Sequence, residues 1–132
     1  MFFKNTFSTN MDENLRQIKE HANWAVFILN NAGYRAGYSL EGISEIERFL
    51  EQDNTDRILK SAQNRIFYAL CCCLGEAAIW NYGGEWVIES PEDANHYVLL
   101  NNNKKYFPFA VCMTKKEAPE SISIYETFKL LA

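Results

Sequence analysis

The segment 56–82 constrains the fold of this chain more than any other part of the sequence. Its apolar residues recur at helical spacing on two faces, which is typical of a helix that neighbouring elements cover on several sides. The first face carries Leu59, Ala62, Ile66, Leu70, Cys73, Ala77 and Trp80, and the second carries Phe67, Ala69, Leu74 and Ala78. Gly83-Gly84 follows, and glycine in a left-handed conformation commonly ends a helix. The sequence therefore predicts a long central helix.

Two shorter helices are expected before it. Apolar residues at alternating steps of three and four predict a helix over 11–31, with residues 1–10 as a poorly ordered lead-in. The residues of this stripe are Leu15, Ile18, Ala22, Ala25 and Leu29. Ser39 then stands where an N-cap belongs, ahead of a second apolar stripe that reaches Leu50.

The character of the chain changes after Gly84. Segments 86–88, 97–100 and 104–107 are short and rich in β-branched or aromatic residues, and three asparagines at 101–103 predict a hairpin turn. A fourth strand is possible over 110–113, and a closing helix follows Pro119. Helices and strands that are segregated along the chain indicate an α+β fold. We expect one domain over 11–132, with three N-terminal helices, three to four antiparallel strands and a C-terminal helix.

Cysteine usage and hydropathy indicate the compartment. Cys71, Cys72 and Cys73 are adjacent, and Cys112 stands apart, so the spacing suits neither a disulfide framework nor a metal site. Unpaired cysteines are typical of a reducing cytoplasm. The first residues lack the apolar stretch of a signal peptide, and the longest apolar run, 66–75, is too short to span a membrane. Gly83-Gly84 lacks the motif that cradles phosphate, so no cofactor is expected.

The charges are unevenly distributed. The chain has 13 basic and 17 acidic residues, and no lysine or arginine occurs between Arg65 and Lys104. The acidic residues of that interval are Glu76, Glu85, Glu89, Glu92 and Asp93. They could form an acidic patch for a basic partner or a solvated loop.

The lysine pairs 104–105 and 115–116 are a weak nucleic-acid signal, and we expect an edge strand protected by lysine, a solvated loop and no nucleic-acid partner.

Glu76 is the most unusual single residue, because it interrupts the most apolar helix. One interpretation is a carboxyl group with a raised pKa in a ligand or catalytic pocket. The other residues that could line this pocket are Arg65, Trp80, Trp86 and His96. The other interpretation is a structural hydrogen bond to a backbone amide, to Trp86 or to a tyrosine, or simply partial exposure.

Two short motifs resemble those of a known group of domains. They are Leu74-Gly75-Glu76 late in a long helix and Gly83-Gly84-Glu85-Trp86 at the start of a strand. Over residues 39–131 the layout resembles a loosely defined group of small uncharacterised bacterial domains, from which the cysteine run departs. The resemblance implies a fold and a bacterial origin and transfers no catalytic residue. Physically, Gly75 would permit close packing over the helix, Glu76 would anchor the following turn, and Trp86 would cover both.

These observations leave three functions open. The first is a non-enzymatic cytosolic protein-binding module, similar to the immunity proteins that neutralise bacterial toxins by covering a basic active site. Its contacts would be Glu85, Glu89, Glu92 and Asp93, with Trp86 or Tyr97 as anchors if they are exposed. The alternative is a small-molecule-binding or enzymatic domain with a pocket around Glu76. The third is a structural subunit that forms a symmetric dimer.

Overall fold

Three helices begin the chain in the computed structural model, which describes the backbone of residues 2–52, 57–88 and 96–132 and the side chains of 13–52, 65–88 and 96–132. They are α1 (Phe2–Asn31), α2 (Leu40–Gln52) and α3 (Arg57–Tyr82). Helix α1 begins well before residue 11, so the lead-in expected over 1–10 is helical from Phe2 onward. The physical reason is that residues 2–10 contain no proline or glycine to end the helix.

The helix ends follow the signals in the sequence. Gly33, with φ +94°, closes α1, and the Tyr34 amide donates to the Leu29 carbonyl at 2.9 Å. Ser39 caps α2, because its Oγ accepts a hydrogen bond from the Gly42 amide at 3.2 Å. Gly83, with φ +73°, closes α3 and turns the chain directly into the sheet.

A three-stranded antiparallel sheet follows, formed by β1 (Gly84–Val87), β2 (Tyr97–Leu100) and β3 (Lys105–Tyr106) in the order β1-β2-β3. Asn103 has φ +70° in the turn between β2 and β3, as the asparagine run predicts. Two rows of side chains cross the three strands in register. The first row is Trp86, Val98 and Tyr106, and the second is Glu85, Leu99 and Lys105.

Two helices complete the chain, α4 (Pro108–Glu117) and α5 (Ile124–Lys129). The expectation of a fourth strand over 110–113 is therefore wrong. Pro108 occupies the first turn of α4, where its missing N–H breaks no helical hydrogen bond. Helix α5 is capped by Ser123, whose Oγ accepts from the Glu126 amide at 3.2 Å, so it begins after Ser123 and not at Pro119.

The core lies between α3 and the elements that surround it. Helices α1, α2 and α4 and strands β1 and β2 all contact α3, and the first row of the sheet faces inward. The predicted faces of α3 are buried over most of their described length, from Ile66 to Ala78. Trp80 is the exception, with 73% of its surface exposed. The chain has the α+β architecture that its segregated helices and strands predict.

Candidate functional site

The joint between α3 and β1 is built from three residues. The Trp86 ring lies on α3 where Gly75 has no side chain, and a Cβ at Gly75 would overlap the ring. The Trp86 Nε1–H donates a hydrogen bond to Glu76 Oε2 at 2.8 Å. Trp86 is 8% exposed and Glu76 is half-buried. The expected packing of Trp86 over Gly75 and Glu76 is confirmed, and Glu76 makes the structural hydrogen bond that was one of its two interpretations.

The remaining residues of the expected Glu76 pocket lie in different surroundings. The Arg65 guanidinium stacks on the Trp24 ring of α1, with its Cζ 4.0 Å from the ring centre. Trp80 extends into solvent, and His96 is buried immediately before β2. Of the residues expected to line this pocket, Trp86 contacts Glu76, whereas Arg65 contacts the Trp24 ring and Trp80 is exposed to solvent.

Of the four acidic residues expected to contact a partner, the structure describes one. Glu85 is exposed on β1, whereas Glu89, Glu92 and Asp93 lie outside the described residues. Of the two expected anchors, Trp86 is buried in the joint and cannot reach a partner. Tyr97 is partly exposed.

Side chains that alternate with the buried row form what we call the outer sheet face. Successive residues of a strand point to opposite sides, so this face is directed away from α3. It consists of Glu85, Val87, Tyr97, Leu99 and Lys105, together with Phe107 just after β3. None of these six residues is fully buried, and Phe107 is 43% exposed. The face is a small apolar patch with a carboxylate on one edge and an ammonium group on the other.

Contacts within the outer sheet face fix its aromatic part. The Tyr97 and Phe107 rings lie with their centres 5.1 Å apart, and Lys105 Nζ lies 5.1 Å from the centre of the Tyr97 ring. A shallow cavity of about 330 Å³ adjoins Glu85. Its lining is Gly84, Glu85, Leu99, Leu100, Asn101 and Asn103. Sequence reasoning missed Leu99, although the alternation along 97–100 places it beside Tyr97.

A second polar cluster joins α2, α4 and α5. Lys115 Nζ lies 3.1 Å from Glu47 Oε2 and 3.0 Å from Glu51 Oε2. Glu47 also accepts hydrogen bonds from the Ile124 and Tyr125 amides at 2.5 and 3.2 Å. Burial opposes ionisation of Glu47, but the amide and Lys115 hydrogen bonds outweigh it and lower the pKa of this carboxyl. The cluster therefore holds a charged pair in a structural role.

The lysine pairs match the expectation in part, because exposed Lys105 lies on β3, an edge strand of the sheet, as the sequence predicts. Lys115 is buried in the cluster just described. Lys104 Nζ donates to the carbonyls of Leu130 and Ala132, at 2.9 and 3.0 Å. Lys105 lies on the outer sheet face, and Lys116 Nζ lies 5.3 Å from the centre of the Phe67 ring. The four lysines therefore have separate surroundings and do not form one basic patch.

The four cysteines are buried in the core. All four thiols are free, and Cys71 of α3 lies close to Cys112 of α4. Burial raises the pKa of Cys72 to about 12 and raises those of Cys71 and Cys73 as well, which suppresses the reactive thiolate form. Within the described ranges, no group of three or more His, Cys, Asp or Glu residues could hold a metal ion. The thiols contribute to the core as small apolar groups.

No family model matches the chain, and no curated protein or solved structure matches it. The resemblance to small bacterial domains stays a prediction. Among the described helices, none is both long enough and apolar enough to cross a membrane.

Proposed function

We propose that this protein is a protein-binding module that uses its outer sheet face to contact a basic protein. The observation that carries the proposal is the composition of that face. Tyr97, Leu99 and Phe107 offer an apolar centre, and Glu85 stands exposed at its edge. Interfaces commonly combine aromatic anchors at the centre with charged groups at the rim.

The charge distribution supports a basic partner. The sequence between Arg65 and Lys104 carries five carboxylates and no lysine or arginine, and β1 and β2 both lie in this interval. An acidic surface accelerates encounter with a basic one and selects against acidic partners. Of these five carboxylates, Glu85 lies on the outer sheet face, across the sheet from Lys105. We propose that Glu85 steers a toxin with a basic active site, so that the protein acts as an immunity-type inhibitor in a bacterial cytoplasm. The four unpaired thiols support a reducing compartment.

The surroundings of Glu76 favour binding over the alternative of a ligand or catalytic pocket. One of its carboxylate oxygens accepts the Trp86 indole hydrogen bond, in a joint where the ring also covers Gly75. Arg65, which could have faced a substrate there, is stacked on Trp24. Glu76 thus supports the strand that presents Glu85.

The test is capture of a partner from a lysate of the native host, followed by affinity measurements on the purified pair. The tagged wild type is compared with Glu85→Lys and Leu99→Asp, which alter the charge and the apolar centre of the face. Glu117→Lys is the matched control, because Glu117 is exposed on α4, away from the sheet. We expect one partner that both face variants bind at least about tenfold more weakly, which corresponds to about 1.4 kcal/mol.

Salt dependence separates steering from packing. The Glu85→Lys defect should shrink as ionic strength rises, whereas the Leu99→Asp defect should persist. Equal binding by the wild type and both face variants would contradict the proposed function, and so would a partner whose surface is acidic.

A further inference from the structure

The hydrogen bonds at the end of β2 determine which backbone groups of β1 point away from the sheet. The Leu100 N–H donates to the Lys104 carbonyl, and the Leu100 carbonyl accepts from the Asn103 amide, both at 2.9 Å. Leu100 thus directs both of its backbone groups toward the turn and β3. Gly84, its partner in the register of β1 and β2, therefore has no hydrogen bond to it.

The neighbouring pair confirms this pattern. The Asn101 amide donates to the Gly83 carbonyl at 3.1 Å, one position before β1 begins. Residues of an antiparallel strand alternate between bonding to one side and to the other. Odd-numbered residues of β1 therefore bond to β2, whereas Gly84 and Trp86 direct their N–H and C=O groups away from it.

We call the outward-directed backbone groups of Gly84 and Trp86 the β1 edge. Strand β1 is an outer strand of the sheet, and within the described ranges no hydrogen bond joins these groups to another residue. A strand with unpaired backbone groups accepts an extended segment of another chain as a further strand. The two residues lie one strand repeat apart, about 7 Å, which matches every second residue of such a segment.

The outer strand on the other side of the sheet is protected against such pairing. Strand β3 has two residues, one of which is Lys105, and Pro108 follows it closely. Short length, lysine and proline are features by which proteins block strand addition. Strand β1 has four residues, with neither lysine nor proline among them.

Glu85 determines the charge of the segment that fits this edge. Its exposed carboxylate stands on β1 between Gly84 and Trp86. It also lines the cavity of about 330 Å³ at the end of the strands, whose other polar side chains are the neutral Asn101 and Asn103. A basic side chain on an added strand would be attracted to Glu85, whereas a second copy paired about Glu85 would place two carboxylates opposite each other.

We propose that the β1 edge binds an extended segment of the basic partner as a fourth strand, with a lysine or arginine side chain opposite Glu85. This inference rests on the proposed function, because it names the part of the partner that approaches the outer sheet face. It adds backbone hydrogen bonds at Gly84 and Trp86 to the side-chain contacts of that face.

The test measures amide hydrogen exchange by NMR in the full-length, isotope-labelled protein. In the free protein, the Glu85 and Val87 amides should be protected, whereas those of Gly84 and Trp86 should exchange faster. The probe is the peptide acetyl-Lys-Val-Arg-Val-Lys-Val-amide. At a peptide concentration about four times its Kd, the Gly84 and Trp86 amides should exchange about fivefold more slowly, because about one fifth of the protein remains free.

Two methylated peptides test the backbone pairing. A residue opposite Glu85 directs its own amide away from β1, so the valine amides of the probe face the edge when its basic residues face Glu85. Methylation of the three valine nitrogens should abolish the protection. Methylation of the three lysine and arginine nitrogens, which adds the same number of methyl groups, should preserve it.

A charge variant tests the choice of a basic segment. Glu85→Gln should weaken binding of the unmethylated peptide about two- to fivefold, as expected for a cross-strand ion pair. Glu117→Gln is the matched control, because Glu117 is exposed on α4, and it should leave binding unchanged.

Several outcomes would overturn the inference. They are protected Gly84 and Trp86 amides in the free protein, no added protection with the probe, and equal protection by both methylated peptides. Protection that grows with protein concentration alone would show that a second copy is the occupant. If these amides do not respond while partner capture still depends on Glu85 and Leu99, the β1 edge is disproved and the proposed function stands. If the probe protects them but no basic partner is captured, the proposed function is the part that fails.

Discussion

Gly75 shows how one missing side chain positions a strand. The Trp86 ring occupies the space that a Cβ would take, and from there its indole reaches Glu76. The same contact places Glu85, the next residue back along β1, on the opposite face of the sheet. A single glycine in a helix thus determines which side of β1 faces away from α3.

Replacing Gly75 by alanine should destabilise the protein. Alanine favours the helix by about 1 kcal/mol, but the clash with Trp86 costs about 1–3 kcal/mol and weakens the indole hydrogen bond, so we expect a net loss of about 1–2 kcal/mol. Urea unfolding followed by circular dichroism measures the change. Gly37→Ala is the control, because a Cβ at Gly37 meets nothing within 4 Å. Equal midpoints for Gly75→Ala and the wild type would show that the ring moves away at no cost.

Glu47 illustrates how a buried charge joins elements. It stands on α2, accepts from the amides at the start of α5 and pairs with Lys115 of α4. A carboxylate at a helix N-terminus compensates for amides that have no partner in the helix. Burial opposes the charge of Lys115, but its hydrogen bonds to Glu51 and Glu47 raise its pKa.

Glu47 should make stability depend on pH in the acid range. Its folded pKa lies below the ordinary 4.5, so its stabilising effect is complete above that value and is lost as the pH falls through the folded pKa. Glu47→Gln should cost about 1–3 kcal/mol at pH 7 and should flatten the decline of unfolding free energy below pH 4.5. Urea titrations at pH 3 to 7 measure both effects.

Glu41→Gln is the control for this experiment, since Glu41 is exposed on the same helix. It should retain the wild-type slope. A Glu47→Gln slope that matches the wild type below pH 4.5 would contradict the assignment of this charge.

The helices were largely predictable from sequence because their signals are local. Ser39 and Gly83 act within a few residues, and they mark helix ends as expected. Helix α4 was missed because the four apolar residues 110–113 fit a strand or a helix equally well. The contacts of α4 that settle the matter, from Cys112 to Cys71 and from Lys115 to Glu47, are distant in sequence.

The candidate site was predictable only in part for the same reason. Periodicity identifies the apolar faces of α3, but it does not reveal that neighbouring elements leave Trp80 uncovered. The Glu76–Trp86 hydrogen bond was among the alternatives, since the two residues are 10 apart and flank the glycine turn. The pairing of Glu85 with Leu99 depends on strand register, which the segments alone do not specify.

At the scale of the whole molecule, the last helix belongs to the same core as the first. Phe128 of α5 is fully buried and packs edge-on against Tyr106 of β3, with ring centres 5.8 Å apart. The Tyr82 hydroxyl, at the end of α3, donates to the Phe128 carbonyl at 3.0 Å. Sheet, central helix and final helix therefore meet at one residue.

The chain should accordingly unfold in a single transition. Phe128→Ala should lower the free energy of unfolding by about 3–5 kcal/mol, and the shift should be the same by tryptophan fluorescence and by far-ultraviolet circular dichroism. The control is Leu130→Ala, because the Leu130 side chain, two residues from Phe128, is 74% exposed in the wild type. This variant should change the free energy of unfolding by less than about 0.5 kcal/mol. Two separate transitions in the Phe128→Ala variant would show that α5 folds as an independent unit.

The burial of the four thiols has a practical consequence for covalent labelling at cysteine. Because all four native cysteines are buried and burial raises the pKa values of Cys71, Cys72 and Cys73, a maleimide reagent should react slowly with the folded chain. A cysteine introduced at exposed Glu85 would then be the preferred site of attachment. Fluorophores or spin labels can therefore be placed on the outer sheet face without first replacing the native cysteines.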